Sequence, residues 1–326
     1  MSDIVAHKTT AILAGATGYI GGYVLRALLE QGYDVISIGR TAPRLSSEKS
    51  VRHVECDLLQ GPPQLPLDTF LRDRVVVISC LGSRGGGKKD AWAVEFGANK
   101  ALLSFAQDLA AEHFVLLSAI CVQKPKLEFQ FAKLAFERKL ISSGMCYSIV
   151  RPTAYFKSLS GQIENLRAGK SYLVFNSGKE TACKPISGED LAEFICICLT
   201  DISKFNKILP IGGPGPAITQ YAQGEMLFEV IKAPMRIRKI PSGFFRVLSG
   251  LMAPFAVLSE RLADKREFLR IGHYYATESM LLWDDESQRY APELTPEYGE
   301  DRLYDFYKSA LQDGLEGHDL GAHKLF

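Results

Sequence analysis

The sequence lacks an excess of charge of either sign. Its 38 Lys and Arg residues nearly balance its 37 Asp and Glu residues, so the formal net charge is +1 at pH 7. A nucleic acid is attracted over long distances by a surplus of positive charge, which this chain does not carry. The composition therefore argues against a nucleic-acid partner and favours a small, mostly neutral ligand.

The sequence also lacks the paired cysteines of a metal site. Its seven cysteines form an odd set with no C-x-x-C pair, and several lie inside apolar runs. Structural zinc sites and iron–sulfur clusters use closely spaced ligands, so we predict no metal site. Free thiols in apolar surroundings are typical of reduced core residues in a cytosolic protein.

A long hydrophobic run is missing as well. The most apolar late stretch, residues 247–258, is about a dozen residues long, whereas a membrane-spanning helix needs about 20. Residues 1–10 contain no apolar segment of the kind found in a signal peptide. We therefore predict a cytoplasmic protein without a spanning helix.

Three regularly spaced glycines stand near the start of the chain. Gly15, Gly18 and Gly21 follow the apolar residues 11–13 and precede a helical pattern at residues 23–29. Such glycines let the backbone turn tightly and approach a pyrophosphate, which then faces the positive end of the helix dipole. We therefore predict a dinucleotide site. Its predicted contacts are Gly15, Thr17, Gly18, Tyr19, Ile20 and Gly21.

The rest of the first half alternates short β-branched runs with helical patterns. With 326 residues, of which 47% are hydrophobic, the chain can bury a large core. The alternation indicates parallel strands joined by right-handed βαβ crossovers. The predicted strands are residues 34–38, 51–55, 75–79, 114–118 and 147–150. The sequence thus predicts an α/β fold, a Rossmann-like doubly wound parallel sheet whose ligand crevice lies at the carboxyl ends of the strands.

Residues just after two of these strands predict the cofactor. Arg40 follows the predicted strand at residues 34–38, with Arg44 close behind. An NAD enzyme usually has an acid at this place for the ribose 2′-hydroxyl. A guanidinium suits a 2′-phosphate, so we predict NADPH rather than NADH. The loop after the predicted strand at residues 75–79 is predicted to lie beside the pyrophosphate and the nicotinamide ribose, with Asn99 supporting it. The loop contacts are Leu81, Gly82 and Ser83.

The spacing of Gly15, Gly18 and Gly21 differs from the G-x-G-x-x-G of ordinary dehydrogenases. It resembles the extended and atypical short-chain dehydrogenase/reductase superfamily. The resemblance implies that residues 184–200 and 207–231 are closing units that rejoin the cofactor-binding core. Further cofactor contacts implied by it are Asp57 and Leu58 near the adenine, and Pro152 and Thr153 near the nicotinamide.

This resemblance also divides the chain into two lobes. We predict an NADP-binding core at residues 1–155, completed by residues 184–231. Residues 156–183 and 232–326 lack the strand–helix alternation and are rich in aromatic side chains. We predict that they form a smaller C-terminal substrate lobe.

The catalytic residues of the superfamily are only partly present. Its serine corresponds to Ser118 and its lysine to Lys133, but the usual tyrosine is replaced by Phe129. A benzene ring cannot exchange a proton, so alcohol–ketone interconversion by the usual route is disfavoured, while Lys133 can still position the cofactor. The resemblance therefore implies a different hydride acceptor.

Longer blocks of sequence narrow the resemblance. They lie at residues 116–125, 128–130, 147–154, 183–187, 223–228 and 274–281. Together they resemble the family of divinyl chlorophyllide a 8-vinyl-reductases over nearly the whole chain. The resemblance implies NADPH-dependent reduction of an 8-vinyl to an 8-ethyl group on a tetrapyrrole, divinyl chlorophyllide or protochlorophyllide, in chlorophyll or bacteriochlorophyll biosynthesis.

Reduction of a vinyl group accounts for the missing tyrosine. Hydride added to the terminal vinyl carbon leaves negative charge that delocalises into the macrocycle before the inner carbon is protonated, so no carbonyl oxygen needs an acid. We predict catalytic roles for Lys133, Ser118 and Tyr155. The proton donor stays open among Tyr155, Tyr274, Tyr275, Glu278, Lys133 and water.

A planar tetrapyrrole needs a pocket with aromatic and aliphatic walls. Side chains that fit are Phe244, Phe245, Leu248, Leu251, Met252 and Phe255. The same pattern fits an amphipathic helix packed into the lobe, and it fits peripheral contact with a membrane. Two other functions stay open: an isoflavone-reductase-like ene reductase for another substrate, and a non-catalytic NADPH-binding sensor or assembly protein.

Overall fold

A computed structural model describes residues 9–64, 74–83, 85–257 and 259–313 of the chain. The predicted absence of a leader rests partly on residues 1–8, and the predicted substrate lobe ends with residues 314–326. Both segments lie outside the described residues.

The described residues contain a seven-stranded parallel sheet in the order β3-β2-β1-β4-β5-β6-β9. The strands, including those of three small two-stranded sheets, are β1 (Thr9–Ala14), β2 (Asp34–Gly39), β3 (Val51–Glu55), β4 (Arg74–Ser79), β5 (His113–Leu117), β6 (Tyr147–Pro152), β7 (Tyr172–Phe175), β8 (Ala182–Cys183), β9 (Lys207–Ile211), β10 (Ile218–Thr219), β11 (Ile237–Ile240), β12 (Trp283–Asp284) and β13 (Arg289–Tyr290). This sheet confirms the predicted Rossmann-like fold.

Helices connect the strands and build the later parts of the chain. They are α1 (Tyr19–Glu30), α2 (Lys88–Ala91), α3 (Asn99–Asp108), α4 (Glu128–Ile141), α5 (Ile163–Arg167), α6 (Gly188–Ile197), α7 (Gln220–Val230), α8 (Gly243–Leu251), α9 (Ala253–Ala256), α10 (Glu260–Thr277) and α11 (Leu303–Asp313). A π-helical segment, Trp92–Ala98, joins α2 directly to α3. Among the described residues, none of these helices combines the length and the apolar character needed to cross a membrane.

Strand β1 is apolar from Ala11 to Ala14 because helices cover both faces of the sheet. Ala11 and Leu13 face a core shared with α1 and α6, whereas Ile12 and Ala14 face one shared with α3 and α4. A strand buried on both faces reads as a continuous apolar run rather than an alternating one. This explains why the strands were recognisable from short β-branched runs.

The direction of the connections reverses beside β1. Strand β2 pairs with one edge of β1 and β4 with the other. Ala14 lies opposite Ser79, so both strands end at the same level and their following loops meet. In a doubly wound sheet this switch point is where a crevice for a ligand opens.

Candidate functional site

The glycine turn occupies this switch point. Gly15 has φ +87°, a left-handed conformation that glycine adopts without a steric penalty. The Gly18 amide donates to the Gly15 carbonyl at 2.9 Å, which closes the turn. Helix α1 begins directly afterwards, and no side chain caps its amino end. Its first N–H groups are therefore directed toward the crevice, as an anion site requires.

Two glycines in the turn are required by close packing. A Cβ on Gly15 would lie 2.6 Å from the Cys80 carbonyl oxygen, and a Cβ on Gly21 would lie 2.0 Å from the Gly15 carbonyl oxygen. Both distances are far below van der Waals contact, and the obstructing atoms are backbone. Backbone approach with an uncapped helix end fits the pyrophosphate of a dinucleotide.

The predicted adenine-side residues lie along the ends of β2 and β3. Arg40 and Arg44 are exposed, so their guanidinium groups are accessible to a ligand. The Asp57 carboxylate accepts the Leu59 amide at 3.2 Å and thereby closes a local turn. Leu58 is buried in the core beside α3 and α4. Of these four residues, the two arginines have the chemistry to read a phosphate.

Asn99 braces the end of β4. It is 1% exposed, and its side-chain oxygen accepts the Ser79 hydroxyl at 2.5 Å. Its side-chain nitrogen donates to the carbonyl of Glu95 at 3.1 Å. The Leu81 amide lies 3.5 Å from the Ser79 hydroxyl oxygen. Asn99 therefore acts on the loop after β4 through Ser79.

Lys133 is held by a carboxylate that the sequence reasoning missed. Its ammonium lies 2.7 Å from Glu95 Oε2. The other oxygen, Glu95 Oε1, accepts the Ser83 amide at 2.9 Å and the Ser83 hydroxyl at 3.0 Å. The available signal was a single acid within the apolar residues 91–98, because a buried acid requires a partner.

Ser118 is bound to a different carboxylate. Its hydroxyl donates to Glu137 Oε1 at 2.5 Å, and the Arg151 guanidinium binds both oxygens of the same carboxylate. Ser118 and Glu137 are both buried. Ser118 and Lys133, predicted to act together, are thus held by separate carboxylates, Glu137 and Glu95.

Tyr155 follows β6 and faces the glycine turn. Its ring centroid lies 6.3 Å from that of Tyr19. Burial raises the pKa of Tyr155 well above its usual value of 10, and the nearby Cys80, Cys121 and Glu95 add to the shift. Among the described residues its hydroxyl has no hydrogen-bond partner.

The thiols beside Tyr155 are poor nucleophiles. Burial raises the pKa of Cys80 to about 12 and that of Cys121 to about 11. A thiol reacts as its thiolate, which is scarce at neutral pH when the pKa is that high. Neither cysteine is therefore an activated nucleophile at this end of the sheet.

The remaining candidates for proton donation differ in their contacts. Tyr274 is buried and donates to the Cys121 carbonyl at 2.9 Å, which is a structural role. Glu278 is bound by Lys126 and by the Tyr290 hydroxyl, away from Lys133. Burial raises the Tyr275 pKa far above 10, and the nearby Cys121, Tyr274 and Tyr155 add to the shift. Among the three tyrosines and Glu278, these contacts leave Tyr155 and Tyr275 as the candidate donors.

Phe129, at the position of the usual tyrosine, packs into an apolar cluster that includes Cys121, Tyr274 and Tyr275. Its ring therefore fills space beside the predicted reaction site without offering a proton.

The predicted nicotinamide-side residues end β6. Pro152 and Thr153 are buried, and the Thr153 amide donates to the Ile211 carbonyl at 2.9 Å. The Thr153 hydroxyl donates to the carbonyl of Lys184. These bonds fix the backbone that leads from β6 into the later part of the chain. In the described part of the chain, no group of three His, Cys, Asp or Glu side chains could hold a metal ion.

Comparisons with known proteins match this geometry. A family model described as NAD(P)H-binding matches residues 15–202, from the first turn glycine to a point shortly after α6. The NADPH-dependent quinone oxidoreductase QOR2 of Escherichia coli, solved with NADPH, superposes with a TM-score of 0.63 at 15% identity. The match covers 93% of this chain and all of that one. At this identity the likeness shows the fold alone.

Two curated plant proteins are similar over most of the chain. One, "Divinyl chlorophyllide a 8-vinyl-reductase, chloroplastic" of Zea mays, is 44% identical, and the match covers 98% of this chain and 84% of that protein. The protein of the same name from Arabidopsis thaliana is 42% identical, with 95% and 78% covered. The similarity therefore extends beyond the NAD(P)H-binding part into the C-terminal half.

Proposed function

The chain belongs to the family of divinyl chlorophyllide a 8-vinyl-reductases, and on that premise we propose how its side chains carry out the reaction. The protein is an oxidoreductase that uses a nicotinamide cofactor and reduces the 8-vinyl group of a divinyl chlorophyllide to an ethyl group. The observation that carries the mechanism is a retained, carboxylate-bound Lys133 beside Phe129, where the usual proton-donating tyrosine is missing.

The cofactor in this proposal is NADPH. The glycine turn and the bare amino end of α1 suit the pyrophosphate of any dinucleotide, so they do not distinguish NADPH from NADH. Arg40 and Arg44 supply the distinction, because both are exposed cations at the end of β2. A 2′-phosphate would pair with these guanidinium groups, whereas a 2′-hydroxyl would leave them without an anion.

Lys133 orients the nicotinamide ribose in this mechanism. Its ammonium has a fixed position because Glu95 binds it at 2.7 Å. When bound, the nicotinamide supplies the hydride that reduces the vinyl group. Phe129 cannot supply the matching proton, so the protein must provide it from another residue.

We assign the proton to Tyr155. The carbanion formed next to the macrocycle takes a proton at the inner vinyl carbon, and the Tyr155 hydroxyl has no competing partner among the described residues. Tyr275 is the alternative donor, and the nearby Cys121 contributes to raising its pKa. One hydride and one proton balance the conversion of vinyl to ethyl, and solvent then reprotonates the tyrosine.

The reaction is tested by anaerobic incubation of the purified protein with 3,8-divinyl chlorophyllide a. We expect the Soret band to shift to the blue and the product to gain two hydrogens with NADPH. NADH should support the reaction at least about tenfold less well. Tight NADPH binding without conversion would favour the isoflavone-reductase-like or sensor alternatives.

The same assay tests the arginine argument. Arg40→Ala should raise the KM for NADPH by about 10- to 100-fold, since one charge-assisted contact to phosphate is lost, and should leave the KM for NADH nearly unchanged. Arg52→Ala, a change at a partly buried arginine within β3, is the matched control. Equal effects of Arg40→Ala on both cofactors would contradict the assignment of NADPH.

The tetrapyrrole pocket is proposed to lie in the lobe of residues 156–183 and 232–326. Phe245 is the wall residue with the best support, because its ring would lie 3.3 Å from a Cβ on Gly272 and makes an edge-to-face contact with Phe175 at a centroid distance of 5.5 Å. It therefore holds α8 onto α10, the helix that carries Tyr275. In this proposal the pocket determines whether chlorophyllide or protochlorophyllide is the preferred substrate.

The opposite face of α8 supports peripheral membrane contact. Phe244, Val247 and Leu251 are 57%, 61% and 66% exposed, and Phe255 on α9 is 57% exposed. Residues 232–266 contain eight Lys or Arg and two acidic residues in a chain whose net charge is +1. An exposed apolar helix face among basic side chains is complementary to an anionic lipid surface. The cytoplasmic location stays a prediction.

We expect the protein to float with liposomes that contain anionic lipid, in the absence of detergent. Leu251→Glu should abolish flotation, because it introduces an acid into the exposed apolar face. Ile202→Glu is the control, since Ile202 is 78% exposed on a different part of the surface. Wild-type protein that stays at the bottom of the gradient would rule out the membrane contact.

A further inference from the structure

Glu95 is a buried carboxylate that the mechanism above uses only as the partner of Lys133. It is 3% exposed and lies within the π-helical segment Trp92–Ala98. Short π-helical turns inside a helix are rare, are less stable than α-helix, and occur frequently at functional sites. A buried charge is costly unless it is paired, so the partners of Glu95 indicate what it does.

Each Glu95 oxygen serves a different element. Oε2 binds the Lys133 ammonium on α4, whereas Oε1 accepts the amide and the hydroxyl of Ser83 in the loop after β4. Gly82 lies beside the same oxygen, since a Cβ there would be 4.0 Å away. One carboxylate therefore connects the predicted ribose-binding lysine to the predicted pyrophosphate loop.

The π-helical geometry of this segment is fixed from the other side. Asn99 donates to the carbonyls of Val94 and Glu95 and accepts the Ser79 hydroxyl. The end of β4 is thus tied to the backbone that carries Glu95. The carboxylate has little freedom to move away from the crevice.

We propose that Glu95 is a positioning residue: it holds the Lys133 ammonium and the 81–83 loop in the single arrangement that binds the nicotinamide ribose. The inference rests on the proposed role of Lys133. A preformed clamp of this kind lowers the ordering cost that a cofactor meets on binding. A buried ion pair serving stability alone would leave cofactor binding and its pH dependence unchanged.

The groups around this ion pair are few and uncharged at neutral pH. Cys80 follows β4, Cys121 follows β5 and Tyr155 follows β6. Burial raises the pKa of each of these three residues. In the described part of the chain Lys133 has no ion pair other than the one with Glu95. Glu95 therefore supplies the negative charge that compensates the partly buried ammonium.

The first test is a double-mutant cycle on NADPH affinity, with wild type, Glu95→Gln, Lys133→Met and the double variant. A glutamine retains an oxygen for Ser83 but turns an amide donor toward Lys133. We expect Glu95→Gln to weaken NADPH binding by about 5- to 100-fold, which lies within the range of couplings between contacting residues. In the Lys133→Met background the same change should alter affinity by less than about twofold. If the fold-changes of the two single variants simply multiplied in the double variant, the two residues would act independently and the proposal would be overturned.

The second test is the pH dependence of NADPH affinity between pH 7 and 9.5. Without the Glu95 carboxylate, nothing compensates the charge of the partly buried ammonium, so binding by Glu95→Gln should weaken as the pH rises, by about fivefold or more relative to wild type. Glu95→Asp keeps the charge and should restore the wild-type pH profile, even if affinity falls. A flat profile for Glu95→Gln would overturn the proposal.

Glu267→Gln is the matched control. Glu267 is another buried carboxylate paired with a cation, Arg270, at 2.7 Å on α10. Its replacement should lower the melting temperature without changing the pH profile of NADPH binding. If wild type binds NADPH but does not reduce the substrate, the proposed function fails. The double-mutant cycle on NADPH affinity still tests whether Glu95 positions Lys133.

Discussion

Replacing Tyr155 with phenylalanine lowers kcat for vinyl reduction by about 10²- to 10⁴-fold, the contribution expected of a positioned proton donor. The substitution removes only a hydroxyl that has no hydrogen-bond partner among the described residues, so no buried group is left unsatisfied. NADPH affinity should stay within about twofold of wild type. Single-turnover kinetics and titration of cofactor fluorescence measure the two quantities.

The pH dependence of the wild-type rate follows from the same group. A proton donor must be protonated, and its contribution is lost as the pH rises through its pKa. Burial raises the pKa of Tyr155 above its usual value of 10. The rate should therefore show no alkaline decline from Tyr155 below about pH 10.

Tyr275→Phe is the control for Tyr155. The two tyrosines lie close enough for Tyr155 to contribute to the raised pKa of Tyr275, and burial raises the pKa of both. We expect Tyr275→Phe to lower kcat by less than about tenfold. If the two variants lost the same activity, the proton could not be assigned to Tyr155 alone. An unchanged kcat for Tyr155→Phe would remove Tyr155 from the mechanism.

Gly21→Ala should disrupt the cofactor site. The new Cβ would lie 2.0 Å from the Gly15 carbonyl oxygen and 2.7 Å from its carbon. Because these are backbone atoms, α1 must move away from the turn. We expect a loss of about 1–3 kcal/mol in the free energy of unfolding and at least about a tenfold rise in the Kd for NADPH. Thermal unfolding and equilibrium titration measure both.

The neighbouring glycine offers a stringent control. Gly22 lies in the same helix, but a Cβ there would be 3.8 Å from the Ala16 carbonyl oxygen, an ordinary contact. Gly22→Ala should therefore leave NADPH affinity unchanged and stabilise α1 by about 0.5–1 kcal/mol. If both alanine variants bound NADPH like wild type, the close approach at Gly21 would have no bearing on the cofactor.

The parallel sheet could be predicted because its signal is local. Strand β3 (Val51–Glu55) coincides with the predicted strand at residues 51–55. Strand β5 begins one residue before the predicted segment and ends one residue before its end. Burial on both faces enforces short β-branched runs, and these runs are visible without any tertiary contact.

The contacts of the candidate site could not be predicted in the same way. The sequence indicated catalytic roles for Lys133 and Ser118 but not the carboxylates that hold them, Glu95 and Glu137. Glu95 lies 38 positions before Lys133, on a separate helical segment. Tyr274 was one of six candidate donors until its bond to the Cys121 carbonyl, 153 positions away, gave it a structural role.

The amphipathic segment after residue 242 shows the same limit. Its apolar residues fitted a pocket wall, a packed helix and a membrane surface equally well. The structure divides them: Phe245 packs against Gly272, whereas Phe244 and Leu251 are exposed. Periodicity gives the two faces of a helix, but it does not identify what each face contacts.

The sequence by itself determined the sheet, the glycine turn and the absence of a tyrosine at residue 129, because strand burial, backbone sterics and side-chain identity are properties of short segments. Only the tertiary structure decided which carboxylate holds Lys133, which tyrosine donates to the Cys121 carbonyl and which face of α8 is exposed. These are contacts between elements distant in the chain, and many arrangements of charged and aromatic side chains are compatible with the same local pattern. Folding selects the one in which the buried charges are paired.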